Sequence, residues 1–385
     1  MKRIFTISTF VLVFCFNGFL YSQTQTDSTR FDKGFQFEAS YLGDNVNNVH
    51  GGIKRGSAFL GMANLRMLFD TEKAGLWSGS QFFVNAVNTH GATPSAEMLG
   101  DMQVASNIEA GNHTYIQELW YKQVVGNVEF TLGLQDLNVE FAVSENGGLF
   151  LNSSFGILPV ISANVPAPIF PLTSLGITSK WSINDKTAWL NAIYDGSPSD
   201  FDYNPYNLKW QFASGDGILA VTELQRNVEV KNLPGVYKLG LYSHNHLIEK
   251  QFNSNFPDSL DHSKYGIYMY ADQRVFQRGE TSIDVFSQFG YSPSALSLNR
   301  VFFSFGVNLK GFMTKSDSDI LGFAVAHANY NENVGGETSL ELTYQRQITK
   351  NIFIQPDLQY IINPSGKNSG ISNCFAGTLR LGLSF

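Results

Sequence analysis

Along residues 338–348, Ser339, Glu341, Thr343, Gln345 and Gln347 alternate with Leu340, Leu342, Tyr344 and Ile348. A period of two places the polar set on one face of an extended strand and the apolar set on the other. The same division recurs at 352–362, where Gln355, Asp357 and Gln359 oppose Ile354, Pro356, Leu358 and Tyr360. At 301–311, Ser304, Asn308 and Lys310 oppose Val301, Phe303, Phe305, Val307 and Leu309. The chain closes on Leu379, Leu381, Leu383 and Phe385 against Thr378, Arg380, Gly382 and Ser384. Terminal residues usually fray, so an alternation that runs to the last residue needs something to bury its apolar face.

Sixteen such segments can be read between 34–41 and 376–385, most near ten residues long, the length at which a tilted strand crosses a bilayer. With the N-terminus in the periplasm, the outward connections are 42–56, 89–113, 136–174, 195–216, 244–264, 291–300, 329–337 and 363–375. The inward ones are 70–79, 126–127, 184–186, 227–234, 276–280, 312–319 and 349–351. Long outer loops opposite short turns mark outer-membrane barrels, whereas a soluble sandwich gives no reason for loop length to follow strand parity. An even count also brings the last strand beside the first and removes both sheet edges. The pattern predicts an all-β fold, a sixteen-stranded antiparallel transmembrane β-barrel with long outer loops and short periplasmic turns.

Polarity alone does not say which face is outside, because a lipocalin-like barrel would put the polar face out. Size does: sixteen strands enclose a lumen too wide for wall side chains to fill, so a wet lumen and a lipid-facing apolar side are expected.

Composition agrees. Charged residues are only 15% and aromatic ones 14%, with 32 Phe and 16 Tyr in 385 residues. Residues 1–22 read as a secretory signal, with Lys2 and Arg3 before an apolar run from Ile4 to Leu20. A lipoprotein signal at Cys15 is disfavoured by the bulky Phe14 before it. Without Lys2 and Arg3 the formal charge moves from −7 to −9, and no basic cluster suggests nucleic-acid binding. Only Cys374 then remains, so no internal disulfide is expected. The longest uncharged stretch, 146–179, carries Pro159, Pro166, Pro168 and Pro171 and is no spanning helix. Residues 23–33 form a short polar lead and 34–385 a single barrel domain.

Several stretches resemble carbohydrate-selective porins of the OprB type: 118-ELWYKQ-123, 130-FTLGLQDLN-138, 150-FLNSSFG-156, 169-IFPLTSLGI-177, 194-YDGSPSD-200, 265-YGIYMYADQ-273, 289-FGYSP-293, 338-TSLELTYQRQIT-349 and 353-FIQPDLQYIINPSG-366. The resemblance implies a Gram-negative outer-membrane barrel through which sugars diffuse, with loops folded in to narrow the pore. The charged residues of a sugar constriction do not map one by one, so the particular sugar stays open, as does a monomeric or homotrimeric state. A terminal phenylalanine, here Phe385, resembles the signal read by the barrel-assembly machinery.

Loop 136–174 is uncharged after Glu145 and rich in Gly and Pro, a composition suited to folding into the pore or packing at its rim. Trp120 shares a face with Glu118 and Lys122, either as a stacking platform for a sugar ring or as an interfacial belt residue. Arg66, Lys180, Glu223, Asp284, Glu341, Asp357 and Arg380 lie on the polar faces of their strands, as pore-lining candidates or as wall charges that pair. His244 and His246 have a spacing that could hold a metal, and Asp195, Asp200 and Asp202 are acidic neighbours. Only Glu249 lies near the histidines, with no cysteine, and the acidic residues lack the glycine and spacing of a calcium loop, so no metal and no cofactor is expected. No nucleophile elbow, Walker loop or zinc-protease helix occurs, which argues against an enzyme. The alternatives are a general or anion-selective porin on the same barrel, an outer-membrane lipase, and a secreted lectin.

Overall fold

The computed structural model describes residues 29–31, 33–210, 215–245, 264–293, 297–313, 319–331 and 333–385; the expected signal at 1–22 lies outside them. A three-residue strand, β1 (Thr29–Phe31), precedes the barrel. The barrel strands begin with β2 (Phe35–Gly52), β3 (Gly56–Asp70), β4 (Ser80–Gly91) and β5 (His113–Val125). Next come β6 (Val128–Gln135), β7 (Ser174–Asn184), β8 (Thr187–Asp195), β9 (Ile218–Val230) and β10 (Leu233–His244). The remainder are β11 (Lys264–Arg278), β12 (Thr281–Tyr291), β13 (Asn299–Lys310), β14 (Asp319–Tyr330), β15 (Gly336–Thr349), β16 (Ile352–Ile362) and β17 (Ser372–Ser384).

Each barrel strand pairs antiparallel with its neighbours in sequence, and β17 pairs with β2, so the sheet closes. The seam runs to the last residue: the Ala39 N–H donates to the Phe385 carbonyl at 3.1 Å, and the Phe385 N–H returns to Ala39 at 2.8 Å. Periplasmic turns are tight where backbone chemistry allows, as at Lys231-Asn232, both at positive φ (54° and 62°) as a type I′ turn requires.

The two faces sort as the alternation predicts. Leu65 is 64% exposed on the outer face, whereas Glu341 is 0% exposed on the luminal one. Bulky luminal rings lie over glycines on the neighbouring strand: a Cβ on Gly240 would overlap the Tyr268 ring, and one on Gly306 the Phe286 ring. Any larger residue at those two positions would push the rings off the wall.

One expectation is corrected. The outer connection expected at 42–56 shrinks to 53–55, because β2 continues to Gly52 and pairs with both β3 and β17. Its run Asp44–Asn48 hydrogen-bonds as a strand between β3 and β17. Of the two placements open to the long loop, pore or rim, the structure takes the first. Connection 136–173 folds inward and packs Phe141, Leu149, Phe150, Phe155, Leu158, Val160 and Ile161 against Tyr194, Tyr268, Tyr270, Phe286, Phe302 and Ala324 of the wall. Wall side chains alone cannot fill sixteen strands, but a long apolar loop fills part of the width.

Candidate functional site

The inward loop is tied at its base by Asp136. Its carboxylate accepts from the Asn138 N–H at 2.8 Å, Gln117 Nε2 at 3.0 Å and the Phe170 N–H at 3.0 Å, joining the two ends of the loop. The chain then crosses the lumen on a series of wall carboxylates. Glu223 accepts the Ala142 N–H at 2.8 Å. Asp272 accepts Ser144 Oγ at 2.8 Å and the Asn146 N–H at 3.0 Å. Glu341 accepts the Leu151 and Asn152 N–H groups at 2.5 and 3.0 Å. In the other direction, Gln288, Asn308 and Gln355 donate to the carbonyls of Phe155, Asn146 and Leu149 at 2.7, 2.9 and 2.8 Å. A loop with few charges of its own thus has its buried backbone groups satisfied by the polar face of the barrel.

A second outer connection, 92–112, joins it. Glu337 accepts the Met102 and Gln103 N–H groups, each at about 3 Å. Arg380 makes two 2.7 Å bonds to Asp44 and reaches Asn107 Oδ1 at 2.8 Å. The two loops meet where the Asn107 N–H donates to Leu151 O at 2.7 Å and the Ser153 N–H to Val104 O at 2.9 Å.

These contacts sort the charges expected to line the pore. All of Arg66, Glu118, Trp120, Lys180, Glu223, Asp284, Glu341, Asp357 and Arg380 lie on luminal strand positions. Glu223 and Glu341 are nevertheless buried under the loop, and Asp357 sits beside Glu341 with Gln359 Nε2 at 3.1 Å. Arg380 is buried with Asp44, and Asp284 with Arg274 and Lys310 at 2.7 and 3.0 Å. Their geometry holds loops and wall together.

Glu341→Ala is expected to leave the Leu151 and Asn152 N–H groups without partners, a cost of about 1–3 kcal/mol each. Hydrogen exchange followed by mass spectrometry should then show faster exchange across 147–155, with the barrel strands unchanged. Exchange equal to the parent's would contradict this anchoring.

The half-open polar strip lies on β2 to β7. Arg66 pairs with Glu38 at 3.1 Å. Trp120 stacks on Phe83 with centroids 4.8 Å apart, and its Nε1 donates to Glu118 at 3.2 Å. The Lys122 ammonium lies 5.4 Å from the centroid of the Trp120 ring and 3.3 Å from Glu129. Glu140, carried by the inward loop, lies 4.0 Å from Lys122 and 3.6 Å from Lys180. Burial alone would raise the Glu140 carboxyl, but Lys180, then Lys122 and Lys238, hold it below the ordinary value.

Glu38 and Glu129 share strand faces with residues singled out from sequence, so the alternation could have found them. Nothing local marks Glu140, whose role depends on where the loop lands. His244 is buried against the Gly196 carbonyl, with Nε2 2.7 Å from it, and His246 lies outside the described residues. Asp200 accepts the Asp202 N–H at 3.0 Å and closes a turn.

A closed sixteen-stranded barrel with an apolar exterior, an inward-folded loop and a charged, aromatic strip is a diffusion channel of the outer membrane. Residues 54–385 match the model of the carbohydrate-selective porin family, OprB, and the chain belongs to that family. It is a passive carbohydrate porin embedded in a Gram-negative outer membrane. The chain is 22% identical to Porin B of Pseudomonas aeruginosa over 414 aligned positions, covering 92% of this chain and 88% of that protein. The high-pH structure of Pseudomonas putida OprB matches at TM-score 0.81 and 20% identity, over 92% of this chain and 95% of that one. The low-pH structure matches at 0.61 and 19%, over 92% and 93%. At these identities the two structures speak to the fold.

Proposed function

We propose that sugars cross along the β2–β7 strip, with the Trp120 ring as the platform for the pyranose face. The observation that carries this is the half-buried indole, stacked on Phe83, with its Nε1 donating to Glu118 and the Lys122 ammonium over its ring, where a sugar would exchange with it. An aromatic face takes the C–H side of a sugar, and the flanking charges exchange hydrogen bonds with its hydroxyls. Arg66, Glu38 and Lys180 extend the polar rail along the wall. Hydroxyls leave water for matched partners and return to it, so binding stays weak enough for transit. Glu223, Glu341, Asp357 and Arg380 shape the passage by holding the loops.

Trp120→Ala is expected to raise the half-saturating concentration for sugar block of ion current roughly two- to tenfold, the worth of one aromatic contact. An unchanged concentration would remove Trp120 from the path.

Export by a signal at 1–22 and assembly through the terminal residue complete the proposal. Deleting Phe385 removes both backbone bonds to Ala39 at the closing seam. The expected result is a lower yield of heat-modifiable barrel in membrane fractions. A parental yield would rule out an assembly role for this residue.

A further inference from the structure

We propose that Glu140, the acid carried into the lumen by the loop, sets the charge selectivity of the channel by holding a lysine-rich stretch of wall near neutrality. The inference rests on the β2–β7 strip being the permeation path.

Three ammonium groups act on this carboxylate. Lys180 on β7 and Lys122 on β5 lie 3.6 and 4.0 Å away, and Lys238 on β10 adds its attraction while donating to Val143 O at 2.7 Å. On the acidic side of the group, Glu129 on β6 is 3.3 Å from Lys122. Lys122, Lys180 and Lys238 thus face Glu129, Glu140 and, beside Trp120, Glu118.

The other luminal acids do not correct that balance for a passing solute. Glu223 and Glu341 are 0% exposed and point their oxygens at loop N–H groups, whereas the Glu140 side chain keeps 30% of its surface accessible. A solute in the strip meets Glu140 directly and the buried acids only through protein. The backbone of Glu140 is fixed as well: its N–H donates to Leu137 O at 3.3 Å, and its carbonyl accepts Gln225 Nε2 at 3.3 Å. Its charge is thus delivered to one place by the fold of the loop.

A neutral saccharide gains from this arrangement, because paired charges offer donors and acceptors without a net field that would favour ions. Removing the Glu140 charge leaves Lys122, Lys180 and Lys238 against Glu129 and Glu118. Anions are then attracted and cations repelled at this charged contact between loop and wall.

The test is the reversal potential of the full chain in planar bilayers under a potassium chloride gradient, with vesicle swelling in neutral sugar run in parallel. Glu140→Gln keeps the shape and is expected to shift the chloride-over-potassium permeability ratio about fivefold upward, the size of one unit charge roughly 8 Å from the ion in a wet pore. Lys180→Gln is expected to shift it in the opposite sense, and the double variant to return close to the parent. A loop merely loosened by either change would shift both single variants the same way or neither, and both of those results overturn the inference. Failure of the parent to admit neutral sugar would instead overturn the permeation path itself.

Discussion

Phe155→Ala is expected to undock the inward loop and produce a larger, noisier single-channel conductance. Phe155 is fully buried in the loop-to-wall core, with its ring 5.0 Å from that of Phe150 and 6.0 Å from that of Phe286. Truncating a ring in such a core costs about 3–5 kcal/mol. The docked loop has no covalent tie across the lumen, so this loss falls on docking and leaves the sixteen-strand ladder intact. Protease added from the outer side should gain access to the 136–173 segment while the barrel keeps its heat-modifiable migration. Conductance and cleavage equal to the parent's would mean that the apolar contacts do not hold the loop.

The second large effect concerns the outer face. Leu65→Arg is expected to block stable insertion, because Leu65 points outward in the middle of β3, beside Ala39 and Ala86 on the paired strands. An arginine at mid-depth on the lipid side costs about 2–4 kcal/mol. The next residue is already an arginine, yet Arg66 faces the lumen and pairs with Glu38 at 3.1 Å. One position along the strand therefore separates a tolerated charge from an excluded one. Folded fraction in lipid vesicles over a urea series measures the difference. A parental unfolding midpoint for the Leu65 variant would contradict the assignment of faces.

These two variants also mark what the sequence makes legible. The face of Leu65 follows from alternation alone, and so do the sixteen strands and the short periplasmic turns, because period two and turn chemistry are local. The polar stretch Asp44–Asn48 reads as a loop for the same local reason. Its strand identity comes from partners on β3 and β17, the latter more than 300 residues away in sequence. The loop is harder still. Its freedom from charge after Glu145 hints at burial, but the acids that receive it, Glu223, Asp272 and Glu341, are spread over three strands. From sequence Glu223 and Glu341 look like pore-lining charges; in the fold all three acids accept backbone N–H groups. Glu140 has no local signature because its lysine partners lie on other strands.

The closing strand shows the same division. Its outer face, Leu379 to Phe385, is buried by lipid, as its alternation requires. The partner of Arg380 is Asp44, across the seam on β2. That pair needs closure of the barrel, which no window of sequence displays.

Swelling of vesicles carrying the full chain, placed in isotonic arabinose, glucose and sucrose, tests passive sugar passage most directly. Entry of all three at rates that fall with increasing size, without an energy source, is the predicted result. Ion conduction with no sugar entry above that of protein-free vesicles would contradict it.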